Sequence, residues 1–125
     1  MRCPCRKKSE TTGYAACCES YHAGLRLAPT AEALMRSRYS AFAIGNAAYL
    51  LATWHASTRP ADLELLPGEE WVQLRVLAVR EAGNEASVEF VARSRRGGST
   101  LALHETSRFV REDGRWFYID GRMKD

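Results

Sequence analysis

Apolar residues recur with two different periods along this chain, and the change falls between Gly68 and Trp71. Leu34, Met35, Arg38, Tyr39, Phe42 and Ala43 follow helical spacing. Pro29 closes the coil before them, Thr30 is a good N-cap with Glu32 behind it, and Gly45-Asn46 supplies the stop. The pattern predicts a helix from Ala31 to Ile44. A second, shorter helix is expected over Ala47 to His55, where Tyr49, Leu50, Leu51 and Trp54 fall within two turns. Ala56 to Gly68 carries Pro60 and Pro67 around Leu63, Leu65 and Leu66 and reads as a loop with room for one helical turn. Beyond it the runs Trp71 to Arg80, Glu85 to Ser94, Thr100 to Arg111 and Arg115 to Asp120 are rich in β-branched and aromatic residues. Gly83-Asn84, Gly97-Gly98 and Asp113-Gly114 separate them, three hairpin signals in succession. Val88, Phe90 and Ala92 alternate with Glu89 and Arg93, as in a sheet with one face packed on helices. Helices followed by an antiparallel meander make an α+β fold. Its expected core is Leu34, Met35, Phe42, Leu50, Trp54, Val88, Phe90, Leu103, Phe109, Trp116 and Tyr118.

The 125 residues, 46% hydrophobic and 26% charged, suffice for one core without disulfides. The longest apolar stretch, Ala41 to Ala52, is broken by Gly45 and Asn46 and is far short of a bilayer span. The start of the chain has no apolar h-region, so a cytoplasmic protein without membrane contact is expected. A net charge of +3 names no partner. Basic residues crowd at Arg2, Arg6, Lys7 and Lys8 and at Arg93, Arg95 and Arg96; such clusters can touch an acidic surface or phosphate, but solvated turns explain them, and nucleic acid is not the expected partner.

All four cysteines, Cys3, Cys5, Cys17 and Cys18, lie at the N-terminus and none follows. The distribution divides the chain into a Cys-rich head, residues 1–26, and a Cys-free body, residues 27–125. Cysteines adjacent or one apart are poorly placed to bridge each other, and a reducing cytosol disfavours disulfides between the pairs. Four thiolates can instead close a tetrahedral zinc site. His22 is available to replace one thiolate, and the bland alternative is a set of unmetallated thiols in a tail.

Cys3-Pro4-Cys5 with Cys17-Cys18 resembles the SEC-C zinc motif first noted in the C-terminal tail of the bacterial preprotein translocase motor. The body is similar, over nearly the whole chain and in order, to the YchJ-like family of bacterial proteins. The matching segments are Leu34 to Phe42, Tyr49-Leu50, Thr53-Trp54-His55, Phe90 to Arg93, Ser107-Arg108-Phe109 and Trp116 to Gly121. The resemblance implies a nuclear transport factor 2-like (NTF2-like) cone, helices against a curved antiparallel sheet, behind a zinc-binding head. It carries no assigned activity. Two departures stand out: Arg6 follows Cys-Pro-Cys where the family usually has glycine, with a longer gap before Cys17, and the second Cys-rich motif of many relatives does not follow Gly121.

Such a cone often encloses a small-molecule pocket, and polar residues on otherwise apolar elements are its candidates: Arg38, Tyr39, His55, Glu105 and Ser107. Strand alternation puts Glu105 and Ser107 on the face of Leu103 and Phe109, with His104, Thr106 and Arg108 on the other. An inward Glu105 needs a partner, and Arg38 is the natural one. His55 could serve as a base or cap a helix end. No nucleophile motif, phosphate loop or His-x-x-x-His pair is present. The expected function is a zinc-anchored module that binds a macromolecular partner or a small ligand without turnover, with homodimerisation through the exposed sheet face left open. The rival is a small-molecule isomerase, dehydratase or hydrolase using His55, Arg38 and Glu105.

Overall fold

The computed structural model describes residues 3–6, 12–65 and 69–123. A 3-10 turn at Tyr14–Ala16 and the single-turn helix α1 (Glu19–His22) shape the N-terminal segment. Helix α2 spans Ala31–Ile44, begun by Thr30, whose Oγ1 accepts the Ala33 N–H at 3.0 Å, and ended by Gly45 at φ 82°, a left-handed conformation natural to glycine. Asn46 then caps α3 (Ala47–Ala52) by accepting the Tyr49 N–H. This helix stops short of the expected His55. The reason lies far along the chain: Tyr118 donates its N–H to the Thr53 carbonyl and accepts the His55 N–H, so the backbone at Trp54 leaves the helix to form a parallel bridge with Tyr118. Among the described residues the following loop holds one hydrogen-bonded turn, closed by the Thr58 N–H on the His55 carbonyl at 3.1 Å, and no helix.

Strands β1 (Glu70–Ala82), β2 (Glu85–Arg96), β3 (Ser99–Glu112) and β4 (Arg115–Met123) form one antiparallel sheet in the order β1-β2-β3-β4, joined by the three expected two-residue turns. Asp113 at φ 52° and Gly114 at φ 78° supply the doubly left-handed turn that matches strand twist. Register shifts between Trp71 and Gln73, Val76 and Ala78, and Arg108 and Phe109 add the bulges that curl a sheet. The last one matters for the site. It leaves Ile119 unpaired, so that Tyr118 stands opposite Phe109 and Gly121 opposite Ser107, and both fall on the concave face.

Helix α2 packs across that face. Leu34, Leu50 and Val88 are fully buried, with Met35, Tyr39, Leu74, Phe90, Ala92, Phe109 and Trp116 around them. Val88, Phe90 and Ala92 point inward, while Phe42, expected in the core, is 37% exposed, because α2 reaches the rim of the cone there and the ring meets Trp71 at 6.3 Å. The cysteines join the same buried cluster, so the head rests on α2. No helix among the described residues is long and apolar enough to cross a membrane.

Candidate functional site

Two arrangements of chemistry share α2, one on each side. On the head side Cys3-Pro4-Cys5 forms a tight turn, closed by the Arg6 N–H on the Cys3 carbonyl and tied to Thr12 by the Cys3 N–H, both at 3.0 Å. The 3-10 turn and the start of α1 carry Cys17 and Cys18 against it. The four buried sulfurs lie within 4.8 Å of one another. Sγ–Sγ separations are 3.8 Å for Cys3–Cys5, 3.5 Å for Cys5–Cys17, 3.7 Å for Cys5–Cys18 and 3.8 Å for Cys17–Cys18. A tetrahedron with Zn–S of about 2.3 Å has edges of about 3.8 Å, so this donor set fits a four-thiolate metal ion.

The surroundings suit a charged sulfur cluster. Ser40 on α2 donates its hydroxyl to Cys18 Sγ at 3.3 Å and lies 3.4 Å from Cys3 Sγ. Arg6 donates Nε–H to Cys17 Sγ at 3.3 Å, and Arg36 donates to the Cys5 carbonyl at 2.9 Å while pairing with Glu32. The neighbouring Cys18 and Cys5 thiols hold Cys3 far below the usual thiol range, and the neighbouring Cys3 and Cys5 sulfurs, with burial, push Cys18 up. Protons are thus shared among sulfurs that a divalent cation would displace. His22 takes another role. Its Nε2–H donates to the Ser37 carbonyl at 2.8 Å and its Nδ1 accepts the Tyr14 hydroxyl at 2.7 Å, so both nitrogens are engaged and the ring braces the head against α2 instead of ligating.

On the other side of α2 the cone encloses a cavity of about 230 Å³. Rings of Tyr39, Phe42, Trp54, Trp71, Phe90, Phe109 and Tyr118 make most of its wall, and Arg38, Glu105 and Ser107 its polar part. Arg38 is only 5% exposed. Its Nη1 donates to the Leu50 carbonyl and to Thr53 Oγ1, each at 2.7 Å, and its guanidinium stacks 4.4 Å from the Tyr118 ring centre. Burial brings its pKa down to about 10, so it remains a cation at neutral pH. Burial and the Glu105 charge push the Tyr118 phenol up to about 12. Ser107 donates to Glu105 Oε2 at 2.6 Å.

Four of the five pocket candidates, Arg38, Tyr39, Glu105 and Ser107, therefore line one cavity, and His55 does not. The His55 ring is held outside the cone between Ser57 Oγ (Nδ1, 2.7 Å) and Glu112 Oε2 (Nε2, 2.8 Å), because the Tyr118 bridge turns the chain before residue 55. The expected Arg38–Glu105 ion pair is also absent as a direct contact: a carbonyl and a threonine hydroxyl take Arg38, and Glu105 acts on it through space. His104 pairs with Glu89 on the other face of the sheet, and Arg108 pairs with Asp120 at the surface. Lys7 and Lys8 lie outside the described residues. Sequence reasoning missed Ser40, Thr53 and Gly121. A Cβ on Gly121 would run into the Glu105 carboxylate, and a glycine inside a strand was the available signal of that close approach.

Comparisons with known proteins bear on the fold and on the Cys-rich head. The profile of the family described as "YchJ, middle NTF2-like domain" matches residues 30–121. A UPF0225 protein of Polaromonas naphthalenivorans is 51% identical over 95% of this chain and 95% of its own, and one of Streptomyces coelicolor is 50% identical over 98% and 96%. The solution structure of a SEC-C motif containing protein from Rhodopseudomonas palustris superposes with a TM-score of 0.83 at 35% identity, covering 94% of this chain and 96% of that one. The crystal structure of another from Psychrobacter arcticus gives 0.81 at 29% identity, covering 98% and 82%. With the four-cysteine cluster at its head and the helix-backed cone behind it, the chain belongs to the YchJ (UPF0225) family of proteins with an NTF2-like domain.

Proposed function

We propose that this protein is a binding module in which zinc closes the head and the cone takes a small ligand without turning it over. The donor chemistry supports zinc: four thiolates at tetrahedral spacing suit a closed structural site with no coordination position left for a substrate. The SEC-C motif of the solved relatives supports the same assignment. The observation that carries the ligand reading is Arg38, a buried cation whose remaining N–H groups line an aromatic cavity with no protein acceptor among the described residues. Mostly apolar pockets with a few convergent polar groups are the common form of small-molecule sites.

An isomerase, dehydratase or hydrolase needs a base that reaches its substrate. His55 is engaged outside the cone, and Glu105 is the carboxylate on the wall, with Oε2 held by Ser107. A single carboxylate with one oxygen held by Ser107, beside a Tyr118 phenol pushed up to about 12, favours binding over turnover. The test is a heteronuclear NMR titration of the full chain with small aromatic fragments. Shifts should concentrate on the indole N–H groups of Trp54 and Trp71 and on residues facing them, with the fragments recovered unchanged. Shifts confined to the head, or none, would contradict the cone as the binding site, and chemical conversion of a fragment would contradict the absence of turnover.

A further inference from the structure

We propose that the cone recognises a neutral planar group presenting a carbonyl beside an N–H, a primary carboxamide or lactam edge on a single ring; this rests on the cavity being a ligand site. Three observations lead there. First, Arg38 is 5% exposed and gives Nη1 to Leu50 and Thr53, so the rest of its five-donor fork makes no hydrogen bond among the described residues while it lines the cavity. A buried guanidinium in that state calls for an acceptor. Second, Glu105 shares the wall, and one of its oxygens, Oε2, accepts from Ser107 while Oε1 accepts from no described residue. Gly121 leaves room for that carboxylate beside β4. Third, the wall is built of rings, with Tyr39 set edge-on to Trp71 at 5.8 Å and Trp54 edge-on to Tyr118 at 5.1 Å.

The two charges select against charged ligands. A ligand carboxylate would satisfy Arg38 and face the Glu105 charge, whereas an ammonium would satisfy Glu105 and face Arg38. The attraction to one charge and the repulsion from the other nearly cancel, so a charged ligand keeps no net Coulomb gain to offset its own desolvation. A carboxamide or lactam edge gives its carbonyl to Arg38 and its N–H to Glu105, leaving no charge unbalanced and no donor idle. An apolar cavity of about 150 Å³ binds benzene, so the cavity of about 230 Å³ has room for one six-membered ring with that substituent.

The test measures affinities of four single-ring probes for the full-length protein by calorimetry: benzamide, benzoate, benzylammonium and toluene. Benzamide should bind at least about tenfold more tightly than each of the other three. Glu105→Gln should reverse the order of benzamide and benzoate, because Arg38 then meets a neutral neighbour. Benzoate or benzylammonium binding as tightly as benzamide in the unaltered protein would overturn the proposal without any variant. Toluene matching benzamide would also overturn it, while leaving the cone a ligand site. Failure of all four to bind at millimolar concentration would overturn both this inference and the ligand reading beneath it.

Discussion

Thr53 does for Arg38 what a carboxylate does for most buried guanidinium groups, accepting one hydrogen bond at 2.7 Å while the Leu50 carbonyl accepts the other. The cation is therefore held by the end of α3 and not by Glu105. Hydrogen bonds to charged groups contribute about 1.5–3 kcal/mol, so Thr53→Val should cost about 2 kcal/mol in chemical denaturation. Glu105→Ala removes the Ser107 hydrogen bond, which is likewise one to a charged group, and should cost about 2 kcal/mol as well. A cost of about 3–5 kcal/mol for Glu105→Ala, that of breaking a buried ion pair, would mean that Arg38 and Glu105 do pair directly. Arg38 and Glu105 were legible in the sequence because a polar residue on an apolar face announces itself. Thr53 was not, since its role depends on where α3 stops, and Tyr118, distant in sequence, sets that point. Gly121 was hidden in the same way: plain alternation from Tyr118 turns it outward, and the bulge at Ile119 turns it in.

At the scale of elements, α2 is the shared wall of both sites. Met35, Arg38, Tyr39 and Phe42 face the cone, while Arg36, Ser37 and Ser40 meet the head. The bounds of α2 follow from Thr30 and Gly45, which is why spacing alone recovers them. Its second buried face is harder to see in the pattern, because serines read as surface residues until something covers them; here Ser37 and Ser40 are completely buried. Loss of a side chain that supports metal ligands typically weakens metal affinity about 10–100-fold. Ser40→Ala should do so, measured by competition with a chromophoric chelator, while leaving the cone's thermal unfolding nearly unchanged. An unaltered affinity would show that the hydroxyl merely fills space beside Cys3 and Cys18.

At the scale of the whole molecule, the division into head and body concerns which part needs which. Among the described residues the head's polar attachments to α2 include Ser40 to the sulfurs, His22 to the Ser37 carbonyl, Cys18 to the Arg36 carbonyl and Arg36 to the Cys5 carbonyl. The large buried side chains of the cone, among them Leu34, Val88, Phe90 and Phe109, come from the body itself. Burying one such side chain contributes about 1.5–3 kcal/mol, so a chain beginning at Leu27 should unfold cooperatively with most of the full-length stability. A molten fragment would make the head part of the core and the division wrong. Metal should be what orders the head, since a sulfur cluster this tight holds thiolates together only when a cation offsets their repulsion. X-ray absorption at the zinc edge of the full-length protein, purified without chelator, tests this most directly. The expected result is one zinc per chain surrounded by four sulfurs at about 2.3 Å; a nitrogen or oxygen ligand in that shell, or protein with four free titratable thiols and no zinc, would contradict it.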